Sequence, residues 1–300
     1  MALKESEEAL KRLLSLLDKS EDTFTDSVPA LQKKIFARVQ VLLAELDKRR
    51  GRIRATGANL RKINRIKRDI RAIILSDKYL KDVDKFTKSF DAATELQTAF
   101  FTTLKSDFTQ PKFINTLRDV SIANTKEALT ASGIQSNIVD KAADIIRTNI
   151  ADSNSFSNLT DEMRIFLTKT EESVGALQRH TSQIVTDSLN TYAREYSQVV
   201  SENLDIDWFL YVGSLVEDSR DFCKALVKKK FIHRSEFAQI TKGNIDVDND
   251  GDTEKVSLQG VKPQTNASNF ITFAGGFNCN HLVAPINEEF VPRKLRLRFK

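Results

Sequence analysis

Apolar residues recur at three- and four-residue spacing through the first two thirds of the chain, the period of helices that bury one face. Leu10, Leu13, Leu14 and Leu17 form a short first stripe. Ile35, Val39, Leu42, Leu43 and Leu46 form a second, with Pro29 in the first turn of its helix. Gly51 and Gly57 interrupt that pattern. The spacing next predicts a long helix from about Asn59 to Leu104, with a break near Ser76. Its apolar face runs from Ile63, Ile66, Ile70, Ile73 and Ile74 to Leu80, Val83, Phe86, Phe90 and Leu96. At 1.5 Å per residue such a helix reaches roughly 60 Å. Helices of that length need a partner along them, from the same chain or a neighbour. Further helices are predicted over 113–130, 135–150, 159–169 and 171–203.

After Asp205 the pattern changes. Trp208–Val212 is short, aromatic and β-branched and reads as a strand. The stretch 218–227 reads as a turn into a short helix. A second short helix over 235–240 would start at a Ser235 N-cap. Phe270–Phe273 and Leu282–Ile286 read as strands, and the alternating tail 293–300 as an edge strand. Glycine and proline shift with the pattern: residues 1–212 hold four glycines and two prolines, the remaining 88 six and three. The expected class is therefore mainly α, a long helical N-terminal arm or bundle followed by a small α+β C-terminal domain. Composition suggests three segments: N-terminal helices over 1–57, a long-helix region over 58–170, and a C-terminal domain over 171–300.

The formal charge of +5 matters less than its placement. Between Lys48 and Arg71 stand eleven basic residues against one acid, Asp69. Arg61, Lys62, Arg65, Lys67, Arg68 and Arg71 lie on a helix whose other sector is isoleucine, a row that could track phosphates without reading bases. A solvated face, or a dock for an acidic protein surface, is the alternative. The isoleucine sector behind the arginines favours packing along a partner. Arg296 and Arg298, in the basic tail, form a second element. Neither an apolar stretch of membrane-spanning length nor a signal-peptide pattern is present, so the expected setting is a cytoplasm, or something assembled in one.

Chemistry concentrates late in the chain. Both cysteines and one of the three histidines fall in Tyr211–Cys223 and Gly275–His281, where glycines also gather. Cys279 and His281 are two apart, so an extended backbone points both the same way. With Cys223 as a third ligand and His233 as a fourth, they could hold zinc. A reduced, buried cysteine pair with a hydrogen-bonded histidine is the other reading, and a disulfide a third. The run from Asp246 to Glu254 places Asp246, Asp248 and Asp250 at positions 1, 3 and 5 of a calcium-type loop. Gly251 follows at position 6 and Asp252 at position 7. Ser257 replaces the closing glutamate, which leaves either a weak calcium site or an acidic turn.

The same two segments carry a resemblance. A strand of the form F-x-Y-x-G ending at Gly213, a turn S-R-x-F-C over 219–223 and a G-G-x-N-C-x-H run over 275–281 resemble the phage minor head proteins typified by head protein F of phage Mu. The likeness spans roughly 170 to 290 and rests on Gly213, Asp218, Arg220, Cys223, Gly275, Gly276, Asn278, Cys279 and His281. It implies that the two cysteine-bearing segments meet and knit the domain, with Asp218 and Arg220 as a buried ion pair or a local backbone cap. Asn280 stands where many relatives carry arginine. The function implied is structural rather than enzymatic: a virion component in the head, assembled in the bacterial cytoplasm. Its expected partners are the portal, the major capsid protein or both, with packaged double-stranded DNA a further contact. No membrane and no small-molecule substrate are expected. A phage-associated nuclease or toxin, or a non-specific DNA-binding protein, are the alternatives.

Overall fold

The computed structural model of the chain describes residues 2–171, 173–277 and 279–300. Two helices, α1 (Ala2–Thr25) and α2 (Val28–Ala44), lead to a small hairpin of β1 (Lys48–Arg49) and β2 (Arg52–Ile53). The hairpin turns at Arg50 and Gly51, both in the left-handed region. Then come α3 (Gly57–Ile74), α4 (Asp77–Thr87), α5 (Ser89–Leu104) and α6 (Phe113–Thr130). A helical run of α7 (Ser132–Ile134), a π turn over Gln135–Val139 and α8 (Asp140–Ala151) follows, then α9 (Phe156–Leu167) and α10 (Ala176–Asn203). The last third holds β3 (Trp208–Val212), α11 (Asp221–Lys229), β4 (Phe231–His233), α12 (Phe237–Ile240), β5 (Asn244–Ile245), β6 (Glu254–Lys255), α13 (Phe270–Phe273), β7 (Leu282–Pro285) and α14 (Arg293–Arg296). The fold is mainly helical with a small α+β part, as the sequence predicts. Among the described residues no helix is long and apolar enough to cross a membrane.

The predicted long helix is broken twice. Ser76 opens α4 in extended conformation, as its position suggests, and a second junction at Lys88 separates α4 from α5. Compactness also divides the chain differently from three consecutive segments. One unit comprises 20–88 and 122–185, the other 1–19, 89–121 and 186–300. Each is discontinuous because helices far apart in sequence pack side by side.

In the first of these units α3 buries Ile63, Ile66, Ile70 and Ile74 as α2 and α8 pack against it. The isoleucine sector therefore finds its partner within the chain, which overturns the inference that it awaits another protein. Asn59, fully buried, ties the hairpin to α3: its carbonyl accepts from the Asp47 N–H at 2.8 Å. Its amide donates to the Asp47 and Arg54 carbonyls at 3.0 and 2.8 Å. Thr56 caps α3 through the Asn59 N–H. Elsewhere Phe24 packs edge-on against Tyr79 and Phe86.

The other unit contains the small sheet, in the order β4-β3-β7 with both pairings antiparallel. Alternation along β3 sends Phe209 and Tyr211 into one apolar cluster and Trp208 into a second with Ile286, Val291 and Leu295. In the same unit α5 and α10 are joined by buried polar contacts, Thr94 to Tyr192 and the Gln97 amide to the Ala193 carbonyl.

Three local expectations fail. Phe270–Phe273 is a helical turn, since Phe270, Ile271 and Thr272 are all buried, which a half-exposed strand would not do. The tail forms α14 instead of an edge strand, with Leu295 buried and the basic residues around it outward or half-buried. The cap before α12 is His233 rather than Ser235: its ring accepts from the Ser235 N–H while Glu236 accepts from the His233 N–H.

Truncating a central isoleucine measures how far α3 depends on its own chain. Ile70→Ala should cost about 2–5 kcal/mol in chemical denaturation. A loss below about 1 kcal/mol would mean that this face is not core.

Candidate metal centre

Cys223 reaches its position by helix period. On α11 the residues Phe222, Cys223, Leu226 and Lys229 are buried as one stripe facing the sheet. The register of β3 and β7 sets Val212 opposite Leu282. Gly213 and His281 are the next pair outward. A Cβ on Gly213 would stand 2.7 Å from the His281 ring, and its φ is +148°, so only glycine suits this place.

The stretches 275–277 and 279–281 have irregular backbone, and two arginines hold carbonyl groups there. Arg220 donates to Gly275 O at 2.7 Å and to Phe277 O at 2.5 Å. Arg194, 3% exposed on α10, donates to His281 O at 3.0 and 2.8 Å and also to Cys279 O. Arg220 therefore acts as the expected backbone cap, whereas Asp218 is exposed and forms no ion pair with it. Arg194 was not singled out from sequence. Its signal was a charged residue flanked by Tyr192, Ala193, Tyr196 and Ser197, all of them buried.

These restraints bring Cys223, Cys279 and His281 together, all buried, with their ligand atoms within 4.8 Å of one another. Cys279 Sγ lies 3.6 Å from His281 Nδ1. The Tyr211 hydroxyl is 3.5 Å from Cys223 Sγ and 3.8 Å from Cys279 Sγ, and its ring stacks on His281 at 5.1 Å. Gly275 backs the group, since a Cβ there would stand 2.6 Å from both sulfurs. Gly276 is pressed against the Gly260 carbonyl. Both cysteines are free thiols. The hydrogen bond from Cys223, then Arg194 and His281, hold the Cys279 thiol well below its ordinary range. The hydrogen bond to Cys279 and burial push Cys223 up. Two thiols and an imidazole this close together could hold a metal ion. A cleft of about 250 Å³ opens beside it, lined in part by Ser214, Asp218, Ser219, Arg220 and Asn280.

His233 is not part of this group. Its ring sits between Trp208, at 4.9 Å, and Phe299, at 4.6 Å, and it bonds Ser235. Asn278 lies outside the described residues.

In the acidic loop protein cations pair with the carboxylates, which favours the acidic-turn reading over a calcium site. Asp246, 3% exposed, accepts from the Asp250 and Gly251 N–H groups and from Arg298 at 2.7 Å. Asp248 pairs with Lys228, and Asp250 accepts from the Asp252 N–H. Lys229, fully buried, donates to Asp246 O and Asn249 Oδ1 at 2.8 Å and pairs with Glu236 at 2.9 Å. Arg298 is committed to the Asp246 carboxylate and the Asn249 carbonyl, which draws it away from a phosphate role.

On α3 the basic residues divide. Lys67 pairs with Asp140 at 2.7 Å, Arg65 with Glu45 at 3.1 Å, and Arg71 donates to Gln135. Lys62 donates to the Glu45 carbonyl. Arg61 and Arg68 are exposed without an acidic partner among the described residues. Arg296, half-buried on α14, has a buried Nε without a partner.

No protein-family model matches the chain, and neither a curated protein nor a solved structure is similar to it.

Two predictions come from this geometry. Gly275→Ala should destabilise the protein by about 1–3 kcal/mol in denaturant titration, because the methyl group meets both sulfurs. An unchanged midpoint would contradict the packing. Burial acts to raise the Asp246 carboxyl, but Arg298, Lys229 and the Gly251 N–H outweigh it and leave the carboxyl below its usual range. Its contribution to stability is therefore present above the unfolded value, about 3.9. It is lost as pH falls through the lower folded value. Asp246→Asn should flatten the acid limb of a stability–pH curve, and added calcium should not raise the wild-type melting temperature.

Proposed function

We propose that the chain is a phage minor head protein of the Mu F-like type, a structural virion component that acts in head assembly. The observation that carries this reading is the convergence of its three signature segments. The strand ending at Gly213, the turn and helix from Arg220 to Cys223, and Gly275–His281 close one buried module through Arg220 and the cysteine–histidine group. A knot of this kind suits a domain that must keep its shape within an assembly. In this role the metal suited to the two thiols and the imidazole is zinc. The proposed partners are the portal, the major capsid protein or both, with the assembled head in the bacterial cytoplasm as its location.

A second reading has its own support. Arg61 and Arg68, about two turns apart on one face of α3 and without an acidic partner among the described residues, suit the phosphates of packaged duplex DNA without base recognition.

Tagged chain recovered from cells assembling the particles should sediment with heads and co-purify with portal. Chain found only outside heads would overturn the first reading. For DNA contact, Arg61→Gln with Arg68→Gln should lower the slope of log affinity against log salt by roughly 0.9 per lost contact. An unchanged slope would remove these residues from DNA.

A further inference from the structure

We infer that Cys223, Cys279 and His281 form a single-ion zinc site with three protein ligands and a fourth position open to the adjoining cleft. This inference stands independently of any role in a phage head.

Distance is the first argument. Zinc binds sulfur at about 2.3 Å and imidazole nitrogen at about 2.0–2.1 Å. At the tetrahedral angle these lengths put a bound sulfur and nitrogen about 3.6 Å apart. Cys279 Sγ and His281 Nδ1 stand at 3.6 Å, with Cys223 Sγ inside the same 4.8 Å group. The donors thus occupy ligand positions with little movement needed.

The unfilled valence of His281 is the second. A neutral imidazole always carries one lone pair. Its Nε2 is buried with no partner, and Nδ1 faces only a thiol, which is a weak donor. An ion bound at Nδ1 gives that nitrogen the strong partner that the thiol does not supply.

The surroundings decide the coordination. Tyr211 and Gly275 lie hard against both sulfurs, and the two cysteines and His281 also line the cleft. His233, the only other candidate soft ligand nearby in sequence, is committed to Trp208 and Phe299. The fourth ligand is therefore water drawn from the cleft, the arrangement of a site with an open position rather than a closed four-residue site. Both thiols deprotonate on binding and their two protons pass to solvent. No electron is transferred.

Metal analysis of the full chain, purified under reducing conditions without chelator, should find one zinc per chain. Cys223→Ser and Cys279→Ser should each bring it close to zero, while His233→Gln should leave it unchanged. Because the serine variants could fail to fold, wild-type chain stripped of metal should also be titrated with Co²⁺. Intense sulfur-to-cobalt charge-transfer bands saturating at one equivalent are expected. Zinc-free chain that gives no such bands would overturn the proposal. So would loss of zinc in His233→Gln, or a Cys223–Cys279 disulfide in the purified protein.

Discussion

The C-terminal module depends on two guanidinium groups holding the carbonyls of one irregular segment. Residues 275–277 and 279–281 run outside any sheet ladder, yet most of them are buried. Buried carbonyl groups without partners would be costly. Arg220 takes the first part of the segment and Arg194 the second, through charge-assisted bonds that are stronger than neutral ones. The same two side chains come from different elements, a turn before α11 and the interior of α10. Satisfying the segment therefore also fixes α10 and α11 about β3. The cysteine–histidine group is a consequence of that arrangement, since it places Cys279 and His281 across from Cys223.

Burial explains why the group is chemically distinctive. Two thiols, a phenol and an imidazole share a space from which water is largely excluded, and none has a strong partner of its own. The hydrogen bond from Cys223 and the charge of Arg194 both act to hold the Cys279 thiol below its ordinary range. The proposed ion would complete what the protein leaves unsatisfied. The acidic loop shows the opposite solution. There Arg298, Lys228 and Lys229 already supply the positive charge, so the carboxylates need no metal.

Much of this was legible in the sequence because it rests on local period. The isoleucine spacing of α3, the aromatic strand at Trp208 and the strand at Leu282 all follow from periodicity. So does the approach of Cys279 to His281, two apart on extended backbone. The meeting of Cys223 with them came through the resemblance of spaced motifs, since no spacing rule links residues so far apart. Other features were hidden because they depend on tertiary partners. Phe270–Phe273 has strand-like residues but lies where burial on all sides favours a helical turn. His233 offers a ligand nitrogen on paper, and only the packing of Trp208 and Phe299 removes it. Asp246 and Arg298 are 52 apart in sequence, so nothing in the acidic run shows that an arginine fills it. The outward arginines of α3 were legible, whereas their isoleucine neighbours' partner was not.

The central claim is that Arg194 positions the Cys279–His281 segment, and the reactivity of the thiols tests it most directly. Both cysteines are 4% exposed, so in reduced, metal-free wild type each should react slowly with a thiol reagent. Measured residue by residue in Arg194→Met, the rate at Cys279 should rise sharply while Cys223, held by α11, changes far less. Equal rates at Cys279 in wild type and variant would contradict the account.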